Sequence, residues 1–196
     1  MMERRSFNSI LAGLGLSLGA GRVQAAGATP ARTESFVLRA NGWVPNNPKL
    51  PVIIYRNVLP PSGDDPAAVF EAMFQHNGWP PQWRNGVYSF HHYHTMGHEV
   101  LGFYGGQARL MLGGPDARVV DVLAGDIVLL PAGTGHMKLS GSADFAVVGA
   151  YPPGQDFDIV RSAPDGVQRA RLASLPFPRS DPVMGAQGPM VRAWPD

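Results

Sequence analysis

The stretch from residue 85 to residue 150 constrains the fold more than any other part of the sequence. Short runs of β-branched and aromatic residues follow one another there with no helical periodicity between them. Glycines such as Gly106, Gly125 and Gly141 fall between the runs and are typical of tight turns. The predicted strands are 87–94, 99–105, 108–112, 118–122, 126–130, 137–139 and 145–150. Such a series of short strands indicates an antiparallel β-sandwich or barrel.

The residues on either side of this stretch predict less regular structure. Residues 27–50 are rich in proline and asparagine and predict an extended arm, whereas the β-branched run 52–55 predicts a strand. The aspartate-proline step at 64–66 suits the start of a helix, and the apolar residues of 69–74 fall on one helical face. The proline-rich residues 152–196 predict an irregular segment that wraps the outside of the domain.

Charge and cysteine content exclude several classes of function. The 196 residues include 16 Lys and Arg against 15 Asp and Glu, with no basic run, so nucleic acid is not an expected partner. The chain has no cysteine, which excludes a disulfide framework, a thiol nucleophile and a thiolate metal site. Any metal site must therefore use nitrogen and oxygen ligands.

The first 26 residues predict an export signal. Arg4 and Arg5 form a twin-arginine pair, and the uncharged stretch 10–21 that follows is too short to span a bilayer as a permanent helix. The small residues at 23–26 suit signal peptidase. We therefore expect a periplasmic or secreted protein with no stable membrane anchor.

The histidines are concentrated where the strands begin. Five of the six lie between residues 91 and 136. Because side chains alternate faces along a strand, His92 and His94 are expected to point to the same side. Glu99 opens the next predicted strand, so two imidazoles and a carboxylate would form a facial metal set. His136 could supply a fourth ligand from across the barrel.

Three further residues are candidates for the pocket around this set, and each has an alternative role. His98 could replace Glu99 as a ligand if the loop takes the opposite register, could orient a ligand, or could be a plain loop histidine. Arg84 could bind a substrate carboxylate at the barrel mouth or form a surface ion pair. Lys138 shares the parity of His136, so it could face the cavity or lie on the surface.

Two separated motifs resemble those of the cupin superfamily. The first consists of Gly86, five residues, His92-Tyr93-His94, four residues, Glu99, six residues and Gly106. The second consists of Gly125, five residues, Pro131-Ala132-Gly133, two residues, His136, three residues and Ser140. Serine replaces the usual closing asparagine, at a position that is not a ligand in the superfamily.

The mature chain as a whole further resembles the YjlB-like family of small bacterial single-domain cupins. Four segments carry this likeness, namely residues 77–79, 83–86, 91–102 and 149–152. The resemblance implies an all-β double-stranded β-helix, a jelly-roll barrel, with the arm and one short helix packed outside, and it implies a homodimer. It also implies one divalent metal ion, manganese, iron, nickel or zinc, held by His92, His94, Glu99 and His136. The expected division is a signal peptide at 1–26, the arm, strand and helix at 27–80, the barrel core at 81–151 and an irregular wrap at 152–196.

The implied metal site supports two functional hypotheses. Three imidazoles and a carboxylate leave two adjacent positions open on an octahedral ion, for a substrate oxygen and for dioxygen or water. The first hypothesis is an oxygenase or isomerase for a small oxygenated organic molecule, with Glu99 as ligand and proton acceptor. The second is a periplasmic binding or sensing cupin, in which the metal anchors a small ligand without turnover. A separate general base beside the open positions would favour the enzyme.

Overall fold

The computed structural model describes residues 32–59 and 63–194, and the predicted signal peptide lies outside them. Within these residues the chain forms nine strands and three helices. The strands are β1 (Arg32–Phe36), β2 (Val52–Arg56), β3 (Pro81–Asn85), β4 (Glu99–Gly105), β5 (Gln107–Leu112), β6 (Arg118–Leu123), β7 (Ile127–Leu130), β8 (His136–Gly141) and β9 (Ala146–Ala150). The helices are α1 (Pro66–His76), α2 (Gly166–Ser174) and α3 (Pro189–Ala193). None of the helices in the described part of the chain has the length and apolar character needed to cross a membrane.

The strands form two antiparallel sheets. The six-stranded sheet has the order β1-β2-β7-β4-β9-β3, and the three-stranded sheet has the order β6-β5-β8. Strand β4 pairs with β7 on one side and with β9 on the other, so Glu99 opens a strand in the middle of the large sheet. His136 opens β8 in the small sheet. The predicted all-β jelly-roll fold is confirmed.

The six-stranded sheet is buried on both faces. On β2, Val52 and Ile54 belong to the core that also contains buried residues of the small sheet. Ile53 and Tyr55, which point the other way, belong to a second core. This alternation explains why all four residues are buried on a strand that lies next to the sheet edge.

The second core is covered by α1 and by the C-terminal segment. Asp65 caps the N-terminus of helix α1, and its carboxylate accepts a hydrogen bond from the Ala68 N–H at 3.3 Å. Its buried Phe70 and Phe74 pack against the sheet. Gly102 of β4 permits this close packing, because a Cβ atom there would lie 2.5 Å from Cδ1 of Phe70. A larger residue at this position would push the helix away from the sheet.

The predicted strand over 87–94 is wrong. The His92 N–H donates to the His136 carbonyl at 3.2 Å, and the His136 N–H donates back to the His92 carbonyl at 2.9 Å. The next residue, Tyr93, exchanges the same two hydrogen bonds with Val160 instead. Because neighbouring residues pair with separate segments, no continuous ladder forms. Strand β3, which the pattern did not predict, pairs with β9 on the edge of the large sheet.

The segment from residue 152, predicted to be irregular, carries two helices. Helix α2 begins with a capping box between Asp165 and Gln168. The Asp165 carboxylate accepts from the Gln168 N–H at 2.8 Å, and the Gln168 side chain accepts from the Asp165 N–H at 2.9 Å. This local signal was available in the sequence but was outweighed by the proline-rich composition around it. The division of the chain into four segments stays a prediction.

A fully buried carboxylate, that of Asp181, attaches the C-terminal segment to the large sheet. It accepts hydrogen bonds from the Tyr55 hydroxyl at 2.5 Å and from the N–H groups of Val183, Met184 and Met190 at 2.8 to 3.0 Å. Burial, and then the neighbouring Asp181, raise the pKa of Tyr55, so its hydroxyl stays protonated and donates. The end of the chain is therefore held by charge-assisted hydrogen bonds.

Replacement of Asp181 by alanine is expected to lower the free energy of unfolding by about 3 kcal/mol or more. The variant leaves the Tyr55 hydroxyl and three buried N–H groups without their acceptor. Urea unfolding followed by tryptophan fluorescence measures the change. The matched control is Asp144→Ala, at an exposed aspartate whose carboxylate accepts no hydrogen bond among the described residues. Equal stability of the two variants would show that Asp181 does not hold the segment.

Candidate metal centre

Three buried histidines bring their ring nitrogens together at one end of the barrel. His92 and His94 lie in the segment between β3 and β4, and His136 begins β8. One ligand atom from each ring lies within 4.8 Å of the others. His92 and His94 face the same cavity, as the alternation of side chains predicted. The arrangement could hold a metal ion with nitrogen ligands.

Glu99 places its carboxylate beside two of these rings. Its Oε2 atom lies 3.3 Å from Nε2 of His94 and 3.3 Å from Nε2 of His136. Neither contact is aligned as a hydrogen bond, and both Oε2 of Glu99 and Nε2 of His94 are buried without a hydrogen-bond partner among the described residues. Buried polar atoms normally have partners. The nitrogen and oxygen atoms surround one point at this spacing, so they could bind a cation between them.

The backbone fixes the orientation of each histidine ring. Nδ1 of His92 lies 3.2 Å from the Phe90 carbonyl, and Nδ1 of His136 lies 3.0 Å from the Thr134 carbonyl. Nδ1 of His94 contacts the carbonyl of Asp158 in the same way. A carbonyl can only accept, so each Nδ1 carries the hydrogen, and each Nε2 presents a lone pair to the centre. Metal-ligating histidines are commonly oriented by such contacts.

Electrostatics favour the ligand forms of most of these groups. Burial, reinforced by neighbouring imidazoles, lowers the pKa of His92 to about 2, and burial lowers that of His136 to about 4. Burial opposes the ionisation of Glu99, but His94, His136 and Tyr151 outweigh it and lower the pKa of Glu99 to about 2. His94 is the exception, because Glu99 overcomes the effect of burial and raises its pKa. A proton on His94 and a divalent cation would therefore compete for the same carboxylate charge.

Tyr151 and Trp83 hold the other oxygen of the carboxylate. The Tyr151 hydroxyl donates a short hydrogen bond to Oε1 of Glu99 and accepts one from Nε1 of Trp83 at 3.1 Å. Burial, and then Glu99, raise the pKa of Tyr151, so the hydroxyl stays protonated. Trp83 can lie flat on β9 because residue 149 is glycine, where a Cβ atom would be 2.0 Å from its ring. Both residues lie in segments that carried the family likeness, but their hydrogen bonds to each other and to Glu99 were not predicted.

Asp158 anchors the loop that follows His94. Its carboxylate accepts hydrogen bonds from the Thr95 N–H at 2.5 Å, the Thr95 hydroxyl at 2.6 Å and the Met96 N–H at 3.3 Å. Arg171 of α2 donates to the Thr95 hydroxyl at 3.0 Å and lies 3.7 Å from the Asp158 carboxylate. In the sequence Asp158 is an acidic loop residue with no recognisable partner, because the residues that donate hydrogen bonds to it, Thr95 and Met96, are more than sixty residues away along the chain.

A small cavity of about 140 Å³ opens onto the candidate centre. The ligand-bearing side chains form its polar wall, and most of the rest of its surface is aromatic or aliphatic. The lining residues are Trp83, Asn85, Gly86, Val87, Tyr88, His92, His94, Glu99, Leu101, His136, Tyr151 and Phe157. A molecule that enters this cavity therefore meets the histidines and Glu99 directly.

Comparison with known proteins identifies the family. No family model matches the chain. The uncharacterized protein YjlB of Bacillus subtilis (strain 168) is 34% identical over 164 residues, which cover 83% of this chain and 96% of that protein. The chain belongs to the YjlB family of small bacterial cupins. The resemblance predicted from the two histidine motifs is confirmed.

Two solved structures were also found. A cupin 2 domain-containing protein from Halorhodospira halophila has a TM-score of 0.27 and 16% identity, over 74% of this chain and 77% of that chain. HEPD of Streptomyces albus, with 2-hydroxyethylphosphonate and Fe(II) bound, has a TM-score of 0.24 and 11% identity, over 67% of this chain and 22% of that chain. At these TM-scores neither structure bears on the site of this YjlB-family protein.

Two of the candidate pocket residues lie away from the cavity. The Arg84 guanidinium forms ion pairs with Glu71 at 2.6 and 2.7 Å and with Asp65 at 3.0 to 3.1 Å, so the surface ion pair is the role the structure shows. The Nζ atom of Lys138 lies 5.3 Å from the centre of the Phe145 ring. Neither residue lines the metal-site cavity.

His98 lies in a different cavity from the three histidines. It is buried, and its Nδ1 atom accepts a hydrogen bond from the Ala132 N–H at 3.0 Å. It lines a separate cavity of about 670 Å³, formed with residues 45–50 and α2. Burial lowers the pKa of His98 to about 3, so the ring is neutral. The strand register turns Glu99, and not His98, toward the other histidines.

Replacement of Asp158 by alanine is expected to weaken metal binding by about tenfold or more. The loop at Thr95 loses its acceptor in this variant, and the carbonyl that orients His94 loses its fixed position. Titration of metal-free protein with Zn²⁺ or Mn²⁺ by calorimetry measures the effect. The matched control is Asp156→Ala, at an exposed carboxylate that accepts only from the N–H of the next residue. Equal affinity of both variants would exclude a role for the Asp158 anchor.

Proposed function

We propose that the protein binds one divalent metal ion through His92, His94, Glu99 and His136 and acts as an oxygenase or isomerase on a small oxygenated organic molecule. The observation that carries this proposal is the unpartnered pair of buried atoms, Nε2 of His94 and Oε2 of Glu99, beside a cavity. An ionised carboxylate is costly to bury unless a cation compensates it. The three-nitrogen, one-oxygen donor set admits manganese, iron, nickel or zinc.

The residues around the site would have different roles in such an enzyme. A bound divalent ion would supply Lewis acidity, and a redox-active ion would add reactivity toward dioxygen. Among the described residues Glu99 is the only carboxylate that lines the cavity, so it is the proton acceptor that we propose. Tyr151 holds Oε1 of Glu99 by donating its hydroxyl hydrogen. Trp83 and Phe157 line the cavity with aromatic surface.

One observation favours the alternative, a cupin that binds a small ligand without turnover. His98 and Lys138 are the two candidate pocket residues that could act as a separate general base, and neither lines the cavity. Apart from the four proposed ligands, the ionisable groups on its wall are the phenols of Tyr88 and Tyr151. Oxidation by dioxygen needs no separate base, whereas hydrolysis or proton transfer ordinarily does. Product formation with the metal-loaded protein would exclude the binding-only function.

Elemental analysis of the protein purified after native export is expected to find about one equivalent of a divalent metal. The double variant His92→Ala, His94→Ala is expected to contain none, because half of the proposed ligands are lost. Chelation should lower the Tm of the wild type and leave that of the double variant unchanged, since bound metal stabilises only the protein that holds it. Iron or manganese supports the oxygenase, whereas zinc or nickel supports non-redox chemistry.

The matched control is His76→Ala, at an exposed histidine near the end of α1. This variant should keep the metal content and the Tm of the wild type. If the wild type, the double variant and the control are all free of metal after native export, the proposed metal site is wrong. The cupin fold would still stand, because it rests on the sheets and on the family.

We also infer that residues 1–26 direct twin-arginine export with cleavage after Ala25. The double variant Arg4→Lys, Arg5→Lys is expected to stay in the cytoplasm as the uncleaved precursor, because the twin-arginine pair is the feature the export route recognises. Cell fractionation and intact mass measure the outcome, with Arg22→Lys as the control. Normal processing of the double variant would contradict this route. The homodimer implied by the family resemblance stays a prediction.

A further inference from the structure

We infer that the metal-site cavity takes a single-ring organic molecule that binds the metal through hydroxyl oxygen as a monoanion and has no second charged group. This inference rests on the proposed function and specifies the substrate class of the same site. Size, wall chemistry and charge contribute to it separately.

The volume of the cavity limits the ligand to the size of one ring. The cavity measures about 140 Å³. An apolar cavity of about 150 Å³ in another protein is known to hold benzene. Tyr88 and Phe157 line this cavity and are 46% and 42% exposed, so small substituents can project past them toward solvent. A second fused ring would exceed the space beside the histidines.

The walls favour a flat, largely apolar body. Trp83, Tyr88, Tyr151 and Phe157 contribute aromatic surfaces, and the rings of Tyr151 and Phe157 are stacked with their centres 5.8 Å apart. Aromatic side chains of this kind bind planar rings by stacking and edge contacts.

The charges at the cavity allow one anionic group and no more. Neutral imidazoles and the Glu99 carboxylate leave a divalent ion with a single uncompensated positive charge, which one phenolate or enolate oxygen would neutralise. Within residues 32–59 and 63–194, no lysine or arginine lines the cavity. The Arg84 guanidinium is paired with Glu71 and Asp65. Cζ of Arg161 lies 4.1 Å from the centre of the Phe90 ring, and Arg161 does not line the cavity. A second anionic group would therefore be buried without a partner.

A matched pair of probes tests this inference. Catechol and 3,4-dihydroxybenzoate present the same two oxygens to a metal, and the second differs by one carboxylate on the far side of the ring. The metal content of the purified protein is measured first. The protein is then titrated with each probe under anaerobic conditions by calorimetry. Catechol is expected to bind at least about tenfold more tightly than 3,4-dihydroxybenzoate. A third probe, 2,3-dihydroxynaphthalene, has the same oxygens on two rings and is expected to bind at least about tenfold more weakly than catechol.

The variant Asn85→Arg adds the cation that the wall lacks, at an exposed position. It is expected to improve the binding of 3,4-dihydroxybenzoate relative to that of catechol by about tenfold. Asn85→Gln, which adds no charge, should keep the preference of the wild type. Unchanged metal content and Tm show that both variants are folded and loaded.

The outcomes separate this inference from the proposed function. Metal-loaded protein that binds the three probes equally, or that binds no catechol, overturns the inference about substrate class and leaves the metal site standing. Protein that takes up no metal under any loading condition overturns the proposed function, and this inference with it.

Discussion

The contact between the buried Glu99 carboxylate and two imidazoles determines how the rest of this protein is arranged. The carboxylate is fixed by its place at the start of a central strand, with Tyr151 on one oxygen and His94 and His136 near the other. Removing a charge from water is costly, so each surrounding element has to supply a compensating group. The small sheet supplies His136, and the segment before β4 supplies His92 and His94. Strand β3 supplies Trp83, which acts on the carboxylate through Tyr151. Both sheets therefore contribute residues around the Glu99 carboxylate.

Local sequence patterns predicted most of the barrel. The predicted strand at 99–105 coincides with β4, and the ends of β5 to β9 differ from the predictions by one or two residues. These strands are short runs rich in β-branched and other apolar residues, separated by glycine turns, and both signals lie within a few positions of each other. The segment 87–94 has similar composition, but its pairing depends on residues 136 and 160, which no local window contains. Even so, His92 and His94 share a side, because an extended chain alternates its side chains with or without a ladder.

The sequence predicted the ligands of the candidate site but not the contacts that support them. Histidine spacing and the family motifs indicated His92, His94, Glu99 and His136, which the structure brings together around one point. The supporting contacts were missed because they join distant positions: Asp158 with Thr95, Tyr151 with Glu99, and Trp83 with Tyr151. Arg84 and Lys138 have suitable chemistry, but strand geometry and nearby acids or rings hold them elsewhere. Residue type identifies possible ligands, whereas the fold decides which of them converge.

The dependence of His94 on Asp158 also has a consequence for the order in which the protein is made. The chain leaves the ribosome from its N-terminus, so all four proposed ligands emerge before the carbonyl and carboxylate that fix His94 and its loop. Arg171 of α2 and the Asp181 anchor emerge later still. A nascent chain that has reached the end of β9 thus contains every donor atom but lacks the last support for their geometry. The centre is therefore completed only when the C-terminal segment has folded back over the barrel.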